Sequence, residues 1–286
     1  MIIIKTKKEI EIMRKGGKIL AEIMDKLAKE IAPGVSTEHL ENMACELIGK
    51  AGGRPSFKGY KSKRNAQAFP TALCISINNE VVHAPALPSR ELKSGDIAGL
   101  DLGMEHPYYA KASYGKPARE KFFASGFANK DSEMGGYFTD MAITVPVGKI
   151  SKQASKLINT TKKSLELAIK QVKPGNTLSD IGGAIQDFAE SNGFSVVREL
   201  VGHGVGTAVH EDPQVPNYKI VDDSFENVIL KPVMAIAIEP MVNAGGWKIK
   251  TGKDGLAILT ADGKLSAHFE HTVVVTEKGR DVLTIA

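Results

Sequence analysis

Three observations predict a mixed α/β fold built from two related halves. The chain has 286 residues, 42% hydrophobic and 24% charged, a balance that supports a sizeable globular core. Amphipathic helical segments alternate with short β-rich runs. The order helix, Pro-Gly, helix, strands also occurs twice. Ile31-Ala-Pro-Gly-Val-Ser and Val172-Lys-Pro-Gly-Asn-Thr stand 141 residues apart. Such a repeat argues for halves of about 8–150 and 151–286 that share one sheet and one core. Residues 1–286 then form a single domain, although length alone allows one or two.

Lys8 to Ile31 carries Ile10, Ile12, Met13, Ile19, Leu20, Ile23, Met24 and Leu27 at helical spacing, so it predicts an amphipathic helix. Pro33-Gly34 stops it. Ser36 or Thr37 caps a second helix that runs to about Gly49 and ends at Gly52-Gly53. Strand-like runs follow at 72–78, 81–83 and 97–102, separated by turn signals at Asn78-Asn79 and Ser94-Gly95-Asp96. In the second half Ser151 caps a helix to Val172. After Pro174-Gly175, Thr177 or Ser179 caps another to Asn192-Gly193.

Composition narrows the function classes. The apolar runs break well before the ~20 residues that a membrane span needs, and the first eight residues do not make a signal peptide. Two cysteines, Cys45 and Cys74, form no disulfide framework, which fits a reducing compartment such as the cytoplasm. The net charge of +4 is no nucleic-acid signature.

Acidic and histidine side chains recur at the ends of the β-like runs. They are Asp101 in Gly-Leu-Asp-Leu-Gly, Asp140 in Phe-Thr-Asp-Met-Ala, His203 in Gly-His-Gly-Val-Gly, Glu239 in Ile-Glu-Pro-Met-Val and Glu270 in Phe-Glu-His-Thr. Carboxylates inside apolar strand sequence are costly to bury unless paired or bound to metal. Four carboxylates and one imidazole suit two dications held ~3.5–4 Å apart.

These motifs, together with His210-Glu211-Asp212-Pro213, Cys74-Ile-Ser-Ile-Asn and Glu80-Val-Val-His83, resemble the type I methionine aminopeptidases nearly end to end. Only 35 residues separate His203 from Glu239, too few for the helical insert that marks type II. The resemblance implies the pita-bread fold, with pseudo-two-fold symmetry and an antiparallel sheet covered by helices. It also implies hydrolytic removal of the initiator methionine from nascent chains when the next residue is small. The site would hold two divalent ions drawn from Mn, Fe, Co or Zn. Asp101 would bind one ion, His203 and Glu239 the other, and Asp140 and Glu270 would bridge. Glu239 would also shuttle the proton, His210 stabilise the oxyanion and His83 hydrogen-bond the scissile peptide. Tyr60, Phe69 and Cys74 would line the methionine pocket. The protein is expected to act as a cytoplasmic monomer without specific nucleic-acid or membrane partners.

The same fold carries prolidase-like Xaa-Pro peptidases and non-catalytic ribosome- or RNA-binding proteins. The short N-terminal region and the Cys74 context argue against the first. The full ligand set argues against the second. Two pocket positions depart from the family: Val209 precedes the catalytic histidine where an aromatic is common, and Leu256 follows Asp254-Gly255 where Trp is common. The family's two aspartates lie on one short hairpin, whereas 38 residues separate Asp101 from Asp140 here. Eight of the 17 aromatic residues fall in this stretch, 104–138. It is expected to be an insertion, either a self-packed hairpin extension or a segment that shapes access to the site or contacts the ribosome or nascent chain. A second basic stretch, Lys61-Ser-Lys-Arg-Asn65, lies near the pocket segment and could reach RNA. His39 is expected to be solvated, His271 to face away from Glu270, and His268 to lie at the surface or behind the ligands.

Overall fold

The computed structural model describes residues 2–61, 67–107, 136–221 and 225–286. Among the described residues there are four helices: α1 (Lys7–Glu30), α2 (Thr37–Lys50), α3 (Lys152–Gln171) and α4 (Leu178–Ser191). Their starts obey capping chemistry. Thr6 and Glu9 form a capping box on α1, Thr177 and Asp180 another on α4, while Ser36 and Ser151 accept from the third residue of α2 and α3. The caps expected at Ser36, Ser151 and Thr177 are therefore the ones used.

The strands of the first half are β1 (Arg54–Pro55), β2 (Leu73–Ile77), β3 (Glu80–Val82), β4 (Ile97–His106) and β5 (Tyr137–Pro146). The second half contributes β6 (Ser195–Val196), β7 (Gly202–Gly204), β8 (Glu211–Val215), β9 (Ala235–Ile238) and β10 (Met241–Asn243). Then come β11 (Ile249–Thr251), β12 (Ile258–Thr260), β13 (Ser266–His268), β14 (Glu270–Thr276) and β15 (Gly279–Val282). Nine strands make one antiparallel sheet in the order β1-β4-β5-β14-β9-β7-β8, with β2 added to β4 and β15 to β14. Two three-stranded sheets, β13-β10-β6 and β11-β12-β3, flank it.

The side-chain period of two divides this sheet into two faces. Leu73 and Ile75 of β2 with Leu100, Leu102 and Met104 of β4 pack against Leu20, Met24, Leu27, Leu40 and Ile48 of α1 and α2. Ile236, Ile238, Val273 and Val275 pack in the same way against Leu157, Leu165, Ile169, Ile181 and Ile185 of α3 and α4. Each such fully buried aliphatic contributes about 1.5–3 kcal/mol. The helix pairs thus fasten one face of the sheet and leave the other available for polar side chains.

The long hairpin differs from the expected insertion at its edges. β4 and β5 pair continuously from Ile97↔Pro146 to His106↔Tyr137. Met104, Glu105, His106, Tyr137 and Phe138 are therefore ladder residues rather than insertion. The six rings from Tyr108 to Phe127 lie outside the described residues, as do 62–65 of the basic stretch. β3 also ends at Val82, because His83 adopts a left-handed conformation (φ 59°) that leaves the strand.

Candidate metal centre

The sheet register alone brings the acidic residues together. Asp101 lies opposite Ala142, Ala142 opposite Glu270, and Gly103 opposite Asp140. Residues directly opposite share a face, so Asp101, Asp140 and Glu270 point to the side away from the helices. His203 lies opposite Ala237, and Glu239 follows two residues later on the same face. Ala142 and Ala237, with minimal side chains, leave a hollow between these rows. Gly103, with no side chain, lets Ser56 and Phe57 press against β4. A Cβ at Gly103 would stand 2.0 Å from Ser56 Oγ and 3.2 Å from Asp140 Oδ1. Gly103→Ala is expected to cost about 1–3 kcal/mol by overpacking and to weaken metal binding through Asp140. Chemical denaturation and metal titration of the variant check both effects.

One ligand atom each from Asp140, His203 and Glu270 lies within 4.8 Å of the other two. His203 Nε2 is 3.7 Å from Glu239 Oε1 and 4.0 Å from Glu270 Oε1. Asp101 lies one diagonal step across the ladder, beside the Cys74 thiol. All are buried or nearly so, Glu270 to 2% and Asp140 to 4% exposure. Among the described residues, Asp101 Oδ1, Asp140 Oδ1 and Glu270 Oε1 find no hydrogen-bond partner. Several buried carboxylates with orphaned oxygens facing one another cost far too much as anions. A divalent cation supplies the missing charge and the missing coordination, so this donor set fits metal. It contains oxygens and one imidazole, and no thiolate.

Electrostatics carry the same message. Burial pushes Asp101 and Glu239 up to about 7. Around Asp101, His268 opposes the shift while Glu239 adds to it. Asp140 and Glu270 lie well above the usual carboxylate range, through burial first and then through the neighbouring carboxylates. His210 and His83 are both lowered, by desolvation and then by neighbouring imidazoles. Both residues are nevertheless exposed, so enclosure does not hold them neutral by itself and the neighbouring imidazoles contribute. Burial also drives the Cys74 thiol well above its ordinary value, which leaves it no nucleophilic character near neutral pH.

His210 stands at the rim. Its Nδ1 is 2.9 Å from the Tyr60 hydroxyl, and its ring meets that of His203 edge to face at 4.5 Å. Phe69 packs edge-on against Phe57 at 6.4 Å, a ring the sequence reading did not single out. Val209 is buried among Met13, Phe138, Val205 and Leu283, a cluster against which Phe57 and Tyr60 pack.

Among the other histidines, His271 turns to Thr284 on the opposite face, as expected. His39 is exposed, also as expected. Of the two places expected for His268, the surface and a position behind the ligands, the second is the one it takes. It is 3% exposed, and its Nε2 lies 3.5 Å from Glu239 Oε2. The chain passes from β13 to β14 at Phe269, changing sheets, and this step brings His268 into the site.

Comparison with known proteins agrees with this geometry. Residues 11–114 and 131–277 match the sequence profile of metallopeptidase family M24, which leaves 115–130 outside the match. The chain is 43% identical over 285 residues to methionine aminopeptidase 1 of Bacillus subtilis (strain 168), covering 99% of each. It is 38% identical over 285 residues to the methionine aminopeptidase of Escherichia coli (strain K12), covering 99% of this chain and 94% of that one. The crystal structure of methionine aminopeptidase from Thermotoga maritima matches over all of both chains, with a TM-score of 0.83 and 37% identity. The prolidase of Pyrococcus horikoshii, at 20% identity and a TM-score of 0.68, shares the fold alone. The pita-bread arrangement expected from the motifs is thus the fold observed, and the chain belongs to metallopeptidase family M24.

Proposed function

We propose that the protein hydrolyses the Met–Xaa bond at the N-terminus of nascent chains in the cytoplasm when Xaa is small. The observation that carries this reading is the row of Asp101, Asp140, His203, Glu239 and Glu270 on one sheet face, in a chain alignable end to end with methionine aminopeptidases. Two divalent ions would be held by these five residues. Such ions, when bound, polarise the scissile carbonyl and make water more acidic.

The chain's own groups do the rest. Glu239, with one oxygen toward His203 and the other toward His268, takes the proton of the attacking water. It then passes that proton to the departing amine, as the C–O bond forms and the C–N bond breaks. His210, with the Tyr60 hydroxyl donating to its Nδ1, keeps its Nε2 hydrogen free to donate to the developing oxyanion. Neutral imidazoles suit this work, and the lowered pKa values of His210 and His83 keep them neutral. His83, turned out of β3, hydrogen-bonds the scissile peptide. Tyr60, Phe69 and Cys74 wall the methionine pocket. Phe57 supports Phe69 and offsets the aromatic rings missing at Val209 and Leu256.

The test presents Met-Ala-Ser and a Xaa-Pro peptide side by side to metal-loaded protein. Free methionine is expected from the first at about a hundredfold higher kcat/KM than any release from the second, a difference of ~2.7 kcal/mol in transition-state binding. Release from the Xaa-Pro peptide alone overturns the substrate assignment. Release from neither, with metal demonstrably bound, overturns the enzymatic reading.

A further inference from the structure

Behind His210 lies an ion pair between residues 206 positions apart, Lys5 and Glu211. It is almost wholly enclosed, with side-chain exposures of 1% and 3%. Ion pairs so deeply buried are expensive unless every oxygen and proton is used, and here nearly all are. One oxygen of Glu211 takes the Lys5 ammonium. The other accepts the Thr207 N–H at 2.5 Å, the Thr207 hydroxyl at 2.6 Å and the Ala208 N–H at 3.0 Å. The carboxylate thereby closes residues 207–211 into a ring, and His210 is a member of that ring.

The ammonium is itself fixed. It also donates to the Ile3 carbonyl at 3.1 Å, and the Lys5 backbone N–H donates to Val233 just before β9. Its stem runs against Gly206, where an added Cβ would stand 2.5 Å from Lys5 Cε and where φ is +144°, so only glycine lets the lysine through. The Gly206 carbonyl is held by the Phe138 N–H at 2.8 Å. The loop that carries His210 is thus clamped at both ends. Among the described residues, the hydrogen bonds of the two side chains go to each other, to Ile3 and to this loop.

We propose that Lys5 and Glu211 are positioning residues: the pair sets the height and direction of His210 over the cleft, so the N-terminal segment is part of the catalytic apparatus. This rests on the assignment of His210 to the oxyanion given above. The test is a double-mutant cycle on metal-saturated protein, comparing parent, Lys5→Met, His210→Ala and the double variant for kcat, KM and melting temperature on Met-Ala-Ser.

Loss of an oxyanion donor costs about 10²–10³ in kcat, so His210→Ala is expected in that range. Lys5→Met is expected to lose about tenfold or more in kcat, with KM changed by less than about threefold. In the His210→Ala background Lys5→Met is expected to cost no further kcat. Equal losses in both backgrounds overturn the positioning role and leave the pair a purely structural clamp. An unaltered kcat in His210→Ala alone overturns the role of His210, and the proposal with it. Should Lys5→Met not fold, Glu211→Gln serves in the same cycle. It keeps an acceptor for the Thr207 and Ala208 N–H groups while removing the charge that holds Lys5.

Discussion

Glu239→Gln is expected to lower turnover of Met-Ala-Ser by about 10²–10⁴-fold, the usual contribution of a positioned general base, while leaving the fold intact. Glutamine preserves volume beside His203 and His268 but cannot accept and return a proton. The carboxylate replaced is one whose pKa burial has raised to about 7, so its neutral substitute does not strain the metal-free protein. Since Glu239 also stands among the proposed ligands, kcat is read at saturating metal. Circular dichroism and the melting temperature should match the parent within a few degrees. Turnover within about tenfold of the parent removes Glu239 from the shuttle role.

Chelation has an equally large expected effect, total loss of turnover, and it also alters how stability depends on pH. In the metal-free protein Asp101 and Glu239 hold their protons up to about pH 7, against ordinary values of 3.8 and 4.5. A pKa raised in the folded state means that the folded state binds more protons than the unfolded one between those limits. The stability these groups contribute is complete below about pH 4 and is lost as pH rises through 7. The expected slope is about 1.4 kcal/mol per pH unit for each proton involved. Bound cations replace those protons, so the loaded protein should not show this fall. Calorimetry with and without chelator should therefore show melting temperatures that diverge from pH 5 to pH 8. Metal titration near pH 6, in buffers of different ionisation enthalpy, should register protons released. Parallel melting profiles and no proton release would contradict the carboxylate cluster as the metal site.

Much of this architecture could be read from local chemistry. The Pro-Gly stops, the Ser and Thr caps and the apolar spacing of α1 mark out the helices, because capping and amphipathicity are short-range properties. The five proposed ligands stood out because charged residues inside apolar strands demand an explanation. What stayed hidden depends on pairings distant in sequence. The Lys5–Glu211 clamp joins the N-terminal segment to the His210-Glu211 motif, and nothing near Lys5 in sequence marks it as buried. His268 stands two residues from Glu270, a spacing that already allows it a place behind the ligands; only its approach to Glu239, made by the change of sheets between the two, depends on distant pairing. The ladder edges at Met104–His106 and Tyr137–Phe138 were hidden by the aromatic richness of the stretch, which made its ends look continuous with its middle.

The β4–β5 ladder has a further consequence. Its ten consecutive pairs set Asp101 and Asp140 relative to each other without help from whatever joins His106 to Tyr137. Lengthening a connection between two ends already held side by side costs only about 0.6 kcal/mol per doubling of its length. Sequence can therefore accumulate there with little thermodynamic penalty to the two aspartates, and the family profile's silence over 115–130 falls within that span. The hairpin behaves as a socket: the catalytic side is wired by the ladder, and the far end can accept new cargo.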